Sequence, residues 1–197
     1  CLNKFKDTKY FQKLNNHKIE AAPFNKVKVR PNMFVNYRNH KRLIIVDGKI
    51  SYTGSINFTD ISANIKKQYG YIKETAVKIT GPAVINNIIS FINNWTLVTK
   101  QQFIINNYLP ASYDPALQKN KDFVQPFSTG PLTIEQVTKN IFVKLINNSR
   151  RYIYISTPYI VLDNLLIRSL KLACLSGVNV NIILPTIADK SWKTNLS

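Results

Sequence analysis

The sequence contains few of the residues that build disulfide frameworks and metal centres. Its 197 residues include only two cysteines and two histidines. Cys1 and Cys174 provide neither a disulfide framework nor the spacing of a zinc site, which favours a reducing compartment. Cys174 falls in an apolar helical pattern, so we expect it to be a small buried side chain.

Long apolar runs are also missing. No continuous run approaches the ~18 residues that a membrane-spanning helix needs. The best window, AVINNIISFINNWTLV at 83–98, is interrupted by two Asn pairs. The chain begins with Cys rather than Met and shows no charged leader before an apolar run. We therefore expect it to be part of a longer protein, whose membrane spans would lie outside this chain.

Acidic residues are scarce. Ten Asp and Glu stand against 27 Lys and Arg, which gives a net charge of +17. Such an excess favours a polyanionic partner, either nucleic acid or an anionic membrane surface. The alternative is an AT-rich coding sequence, which also explains the repeated Asn pairs. Hydrophobic residues make up 45% of the chain, so a globular fold is expected rather than disorder.

Secondary-structure signals in the first hundred residues point to a hairpin. RLIIV and KISYTG flank Asp47-Gly48, a dipeptide that accepts the positive φ angles of a tight turn. Gly81-Pro82 then interrupts the chain before an apolar helical pattern over 83–99. Further elements are expected as a basic helix over 4–16 and as strands at 26–30 and 74–79.

The second half of the chain has a parallel α/β pattern. Residues 101–131 lack periodicity and contain several prolines, as a connection would. After it come a helix over 134–147, a buried strand YIYIS at 152–156, a loop over 157–163, a helix over 165–176 that ends at Gly177, and a strand within VNVNIILP. Strand, helix and strand with a glycine-terminated helix predict parallel α/β architecture.

One stretch, NHKRLIIVDGKISYTGSIN at 39–57, carries polar residues that a packed core does not need. Strand alternation places His40 and Arg42 on one side and Lys41 on the other. Both faces become apolar after Arg42, so we expect the strand to enter a core with His40 and Arg42 at its rim. The returning strand adds a close backbone approach, a hydroxyl and an amide at Gly54, Ser55 and Asn57. A histidine, a cation and neutral donors predict a phosphate site.

HKRLIIVD followed by GSIN resembles the phospholipase D superfamily signature, H-x-K-x4-D and then G-S/G-x-N. The flanking blocks, including KETAVKITGPAV, resemble bacterial cardiolipin synthases; the similarity is weakest over 101–127. The resemblance implies an α/β fold with a mixed sheet flanked by helices, as parts of two similar lobes. Residues 1–100 would be the C-terminal part of the first lobe, 101–131 the inter-lobe connection, and 132–197 the start of the second lobe.

The resemblance also implies an activity. Members of this family transfer a phosphatidyl group between two phosphatidylglycerol molecules through a phosphohistidine and release glycerol, without metal or other cofactor. The expected partner is anionic phospholipid (phosphatidylglycerol and cardiolipin) at the membrane surface rather than nucleic acid, and the expected location is the bacterial cell membrane.

Roles for individual residues follow from the same resemblance. His40 matches the signature histidine, as nucleophile or as general acid. Asp47 matches the signature Asp, which is more often a structural partner. Glu74 matches an acid that accepts a hydrogen bond from the histidine, which would fix its tautomer. Two further positions, Ser55 and Asn57, match residues that hold phosphate oxygens.

Two departures leave alternatives open. Arg42 replaces the signature Lys, and no second H-x-K occurs, since His17 lacks the accompanying motifs and is expected to be a surface residue. A one-signature nuclease that acts as a dimer would suit the charge, although the second-lobe pattern counts against it. A non-catalytic protein that binds anionic membrane is a third possibility. Tyr69 and Tyr71, among lysines, would then lie at a lipid interface or on a solvated face.

Overall fold

The chain divides into two units in the computed structural model, which describes residues 8–24, 39–66, 70–113, 122–130 and 136–185. The first unit contains residues 1–57 and 74–128, and the second contains residues 58–73 and 129–197. A stretch from within the predicted first lobe thus groups with the second unit. The strand expected at 26–30 lies outside the described residues, as do Tyr69, residues 4–7 of the expected first helix and residues 134 and 135 of the third.

The first unit is built on the hairpin expected at Asp47-Gly48. Strands β1 (Leu43–Val46) and β2 (Ile50–Gly54) pair antiparallel. Asp47 and Gly48 have φ angles of 53° and 67°, and the Lys49 N–H donates to the Val46 carbonyl at 3.0 Å. The predicted hairpin is therefore confirmed, because a tight turn with positive φ angles joins the two strands.

A third strand and a helix complete the core of this unit. Strand β3 (Ala76–Thr80) pairs antiparallel with β2, which gives the sheet order β1-β2-β3. Helix α2 (Val84–Thr99) follows Gly81-Pro82, as predicted. Its Val84 and Ile88 lie four positions apart on one face and pack with Ile79 of β3. The other side chains packed against this cluster are Ile45, Ala83, Ile92, Ile105 and Leu109, the last two from a 3₁₀ turn (Ile105–Tyr108) and the residue after it.

The expectation that β1 is apolar and buried on both faces is wrong. Ile45 packs against the core, whereas Ile44 and Val46 are exposed. Alternate side chains of a strand point to opposite faces, and α2 covers only the face that carries Ile45.

The second unit has the predicted parallel α/β pattern. Helix α3 (Val137–Asn148) precedes strand β4 (Tyr152–Ser156), helix α4 (Asn164–Leu175) and strand β5 (Asn179–Ile183). β4 and β5 pair in parallel, with Ile153 opposite Val180. The buried core consists of Ile146, Leu170, Ala173 and Val178.

Both ends of α4 are capped. The Asp163 carboxylate accepts a hydrogen bond from the Leu166 N–H at 2.9 Å and pairs with Lys139 of α3. The Lys139 ammonium group and the backbone donor hold the Asp163 pKa below its usual value. At the other end Gly177 has a φ of 85°, and Val178 N–H donates to the Ala173 carbonyl at 3.0 Å. This is a Schellman motif, in which glycine avoids the cost of a left-handed residue.

Two expectations for this unit are wrong. Strand β4 is not buried, because Tyr152 and Tyr154 are exposed and stack on each other with ring centroids 4.6 Å apart. Cys174 is exposed rather than buried. Leu170 and Ala173 of α4 face the core, and Cys174 is rotated away from them by one helical position.

The α/β class expected from the sequence is confirmed. Across the described ranges, the α-helices are α2, α3, α4 and an N-terminal helix α1 (Thr8–Asn16), and they accompany two small sheets. The antiparallel pairs are in the first unit and the parallel pair is in the second. Within those same ranges, no helix combines the length and the apolar character needed to cross a membrane.

Candidate active site

The hairpin brings the two parts of the signature together at one end. Leu43 at the start of β1 pairs with Thr53 near the end of β2. Residues just before β1 and just after β2 are therefore neighbours, because antiparallel strands run back along each other. His40 and Arg42 lie on the first of these segments, and Ser55 and Asn57 on the second.

Arg42 is the residue that connects the two segments. Its Nε donates to Asn57 Oδ1 at 2.7 Å, and its Nη1 donates to the backbone carbonyl of His40 at 3.0 Å. A guanidinium group can only donate, so the Asn57 amide must present its oxygen to Arg42. The Asn57 NH₂ group is then directed elsewhere and can donate to a ligand oxygen.

Ser55 is hydrogen-bonded to Thr75, the residue that precedes β3. Its N–H donates to the Thr75 carbonyl at 2.9 Å, and the Thr75 N–H donates to Ser55 Oγ at 3.1 Å. The hydroxyl proton makes a longer bond of 3.3 Å to the same carbonyl. Because that last bond is the weakest of the three, a phosphate oxygen could compete for the Ser55 hydroxyl without disturbing the backbone pairing.

Gly54 makes this pairing possible. A Cβ at position 54 would collide with the Thr75 carbonyl oxygen and lie 2.6 Å from the Ala76 Cα. The close backbone approach expected from the G-S-x-N pattern is therefore present. It is made to the strand that precedes α2.

Glu74 directly precedes Thr75 and thus lies next to this pairing. Glu74 is partly buried, whereas the His40 side chain is exposed. Among the described residues, no hydrogen bond joins the His40 imidazole to a carboxylate or to any other side chain. The role expected for Glu74, to fix the histidine tautomer, stays a prediction.

Asp47 lies at the other end of β1. It is the first residue of the turn, with a φ of 53°, and the four residues of β1 separate it from Arg42. The strand alone spans about 10 Å at ~3.3 Å per residue. The structure therefore brings His40, Arg42, Ser55 and Asn57 to one end of the hairpin and leaves Asp47 at the turn.

Lys41 contacts a different element from Arg42. Its Nζ donates to Ser90 Oγ of α2 at 3.0 Å, and partial burial lowers the pKa of the ammonium group. The two cations on adjacent positions thus have different partners, as expected if they project to opposite sides. Neither the Ser90 contact nor the Thr75 contact has a local signal in the sequence, because both join segments far apart in the chain.

The second unit contains an open apolar groove of about 420 Å³ beside α4. Its lining consists of Leu162, Ile167, Leu170, Lys171, Cys174 and Leu175. The lining is mostly aliphatic, and the groove lies in the second unit, which contains none of the signature residues. The candidate site is therefore assigned to the His40 end of the hairpin.

Comparisons with known proteins agree with the family indicated by the signature. No protein-family model matches the chain. The chain is 32% identical over 181 residues to an uncharacterised protein of Streptococcus mutans serotype c, which covers 92% of this chain and 39% of that protein. It is 32% identical over 185 residues to the major cardiolipin synthase ClsA of Bacillus subtilis, and the match covers 93% of this chain and 38% of ClsA. A cardiolipin synthase of Listeria welshimeri is 34% identical over 161 residues, and the match covers 82% of this chain and 33% of that protein.

The chain spans less than two fifths of the length of these curated relatives. The similarity nevertheless extends over most of the chain and includes both units. Together with the signature residues at one end of the hairpin, it shows that the chain belongs to the bacterial cardiolipin synthase family of the phospholipase D superfamily.

Proposed function

We propose that this chain is a part of a bacterial cardiolipin synthase and carries one of two catalytic half-sites. The observation that supports this most directly is the Arg42 bridge, which holds the Asn57 amide and the His40 backbone together in a chain similar to cardiolipin synthases. The substrates would be two phosphatidylglycerol molecules, and the products cardiolipin and glycerol.

The transfer is a double displacement at phosphorus. An imidazole nitrogen attacks the phosphodiester of the first phosphatidylglycerol, and the bond to the glycerol headgroup breaks. A second histidine protonates the departing glycerol oxygen. The terminal hydroxyl of the second phosphatidylglycerol then gives its proton back to that histidine and attacks the phosphohistidine, which restores the free imidazole. His40 would be one of the two histidines, and the other would lie outside this chain.

Charge at the phosphate is balanced by donors that the hairpin already holds in place. Arg42 retains N–H donors beyond the two bonds described above, and the Asn57 NH₂ group is directed away from Arg42. Preorganised donors act on charge that develops in the transition state. No step in this scheme requires a metal ion or another cofactor.

The proposed partner is anionic phospholipid at the bacterial cell membrane. The net charge of +17 would attract the chain to such a surface. Membrane spans, if the whole protein has them, would lie outside the described residues. A dimeric nuclease would also use the charge, but two of the three relatives reported above are named cardiolipin synthases.

Histidine substitution in the full-length protein tests the proposal. His40→Ala should reduce cardiolipin formation from labelled phosphatidylglycerol to background, because no neighbour can replace the imidazole. The matched control is His17→Ala, which changes the other, exposed histidine of the chain and should leave the rate unchanged. A His40→Ala protein that keeps a tenth of the rate would refute the assignment.

A further inference from the structure

The segment between Asn57 and Glu74 exposes large apolar side chains on a hydrogen-bonded turn. We define its described residues, 58–66 and 70–73, as the docking loop. We propose that the docking loop inserts Phe58, Ile65 and Tyr71 into the surface of an anionic phospholipid bilayer. The inference rests on the proposed function insofar as such a bilayer holds the substrate, but vesicle binding tests it separately.

Hydrogen bonds give the docking loop a defined conformation. The Ala63 N–H donates to the Thr59 carbonyl at 3.0 Å, and the Ile65 N–H donates to the Asp60 carbonyl at 2.8 Å. Asn64 has a φ of 58°. Together with a 3.0 Å bond from the Asn64 N–H to the Ile61 carbonyl, these contacts form a Schellman motif with Asn in the left-handed position.

Asn64 also closes the docking loop. Its Nδ2 donates to the Ile72 carbonyl at 2.9 Å, and its Oδ1 accepts from the Ile72 N–H at 2.7 Å. The side chain thus satisfies both backbone groups of Ile72, as a paired strand residue would. Ile65 follows Asn64 and Tyr71 precedes Ile72. The two hydrogen bonds between Asn64 and Ile72 therefore hold the backbone on either side of them together.

The apolar side chains of the docking loop are not used for packing. Phe58, Ile65 and Tyr71 are 87%, 74% and 79% exposed. The comparable position in the Schellman motif of α4 is Val178, which is only 5% exposed and belongs to the core. An apolar residue at that position usually packs back onto its own helix. Ile65 instead points into solvent, which leaves it available to an external apolar phase.

Charge favours an anionic bilayer as that phase. Lys66 forms an ion pair with Asp60 at 2.6 Å, and Lys73 ends the docking loop as an exposed cation. The whole chain adds a net charge of +17. Lysines reach phosphate headgroups while aromatic and aliphatic side chains enter the acyl boundary, which is the composition of interfacial membrane anchors.

The docking loop is bounded in the sequence by two candidate site residues. Phe58 directly follows Asn57, and Lys73 directly precedes Glu74, both of which are candidate site residues. Binding of the docking loop to lipid would therefore hold the chain at the surface where phosphatidylglycerol is found.

Vesicle binding by the purified 197-residue chain provides the test. The vesicles contain equal parts of phosphatidylglycerol and phosphatidylcholine, and co-sedimentation gives the partition coefficient. The triple variant F58S/I65S/Y71S should bind at least tenfold more weakly at unchanged net charge. Apolar surface removed from water contributes ~25 cal/mol per Å², so a variant that buries about 60 Å² less of it in the bilayer should bind about tenfold more weakly. The matched control V161S/L172S/L175S changes similarly exposed apolar residues elsewhere in the second unit and should bind like the unmodified chain.

Thermal melting of both variants should show that they remain folded, since all six positions are exposed. Failure of the unmodified chain to bind these vesicles, or an equal loss in the two triple variants, would overturn the proposal. The result is independent of catalysis, because His40→Ala should abolish transfer by the full-length protein and leave vesicle binding by the 197-residue chain unchanged. Transfer that survives His40→Ala would refute the proposed function, but it would leave the proposal that the docking loop binds lipid intact.

Discussion

At the scale of single residues, Arg42 is the side chain on which the candidate site depends most. It replaces the lysine of the family signature yet holds Asn57 and the His40 backbone at once. In the full-length protein, Arg42→Ala should lower the transfer rate severely, because a lost preorganised donor costs roughly 3–4 kcal/mol, or about 10²–10³-fold. Arg42→Lys should hold or raise the rate. Both are measured as cardiolipin formed from labelled phosphatidylglycerol.

The control for that prediction is the neighbouring cation. Lys41 bonds to Ser90 of α2, away from the Arg42 contacts, so Lys41→Ala should change the transfer rate little. If Lys41→Ala were as damaging as Arg42→Ala, the orientation of the segment before β1 would be wrong, and the proposed site geometry with it.

Gly54 supports a second prediction, about stability. Gly54→Ala places a methyl group against the Thr75 carbonyl and the Ala76 backbone, which cannot move without breaking the β2–β3 pairing. Overpacking of this kind costs about 1–3 kcal/mol or more in free energy of unfolding. Gly130→Ala is the matched control, since no described residue beyond its two chain neighbours would lie within 4 Å of a methyl group at position 130. Urea unfolding of the chain would contradict the prediction if both variants were equally stable.

At the scale of elements, a buried polar pair joins α2 to the sheet. The Asn87 Nδ2 donates to Ser51 Oγ of β2 at 2.9 Å, and both residues are buried. Asn87→Ala should lower the free energy of unfolding by about 1–3 kcal/mol, because it leaves the Ser51 hydroxyl buried without its partner. Asn86→Ala removes the preceding amide, which is exposed, and should have little effect. Equal midpoints of urea unfolding for the two variants would show that the buried pair does not stabilise the unit.

The helices, strands and turns that have local sequence signals were predicted correctly. The burial of several of their side chains was predicted wrongly. Asp47-Gly48 predicted the hairpin, because few dipeptides accept two positive φ angles. Gly177 predicted the end of α4 for a related reason. Burial depends on which neighbour covers a face. The exposed Ile44, Tyr154 and Cys174 were expected to be buried because their apolar neighbours are, and only the packing of α2 and α4 shows which side chains face the core.

At the scale of the whole molecule, the chain contains one signature and spans less than two fifths of the curated relatives it matches. The purified 197-residue chain should therefore form no cardiolipin. In the proposed mechanism His40 is one of two histidines, and no second H-x-K signature occurs in this sequence to provide the other. General acid catalysis of the kind that would be lost contributes roughly 10²–10⁴-fold. The measurement is turnover of labelled phosphatidylglycerol in mixed micelles. Sustained turnover would instead indicate that two copies share one site.

The sequence by itself determined the family, the hairpin, the order of helices and strands, and the residues of the signature. These features depend on local conformational preferences and on the identity of a few side chains, both of which are present in a linear sequence. Only the tertiary structure decided that Arg42 orients the Asn57 amide, that Ser55 pairs with Thr75, and that Asp47 lies at the turn. The physical reason is that each of these facts depends on atoms brought together by chain reversal and packing, for which the sequence has no local signal.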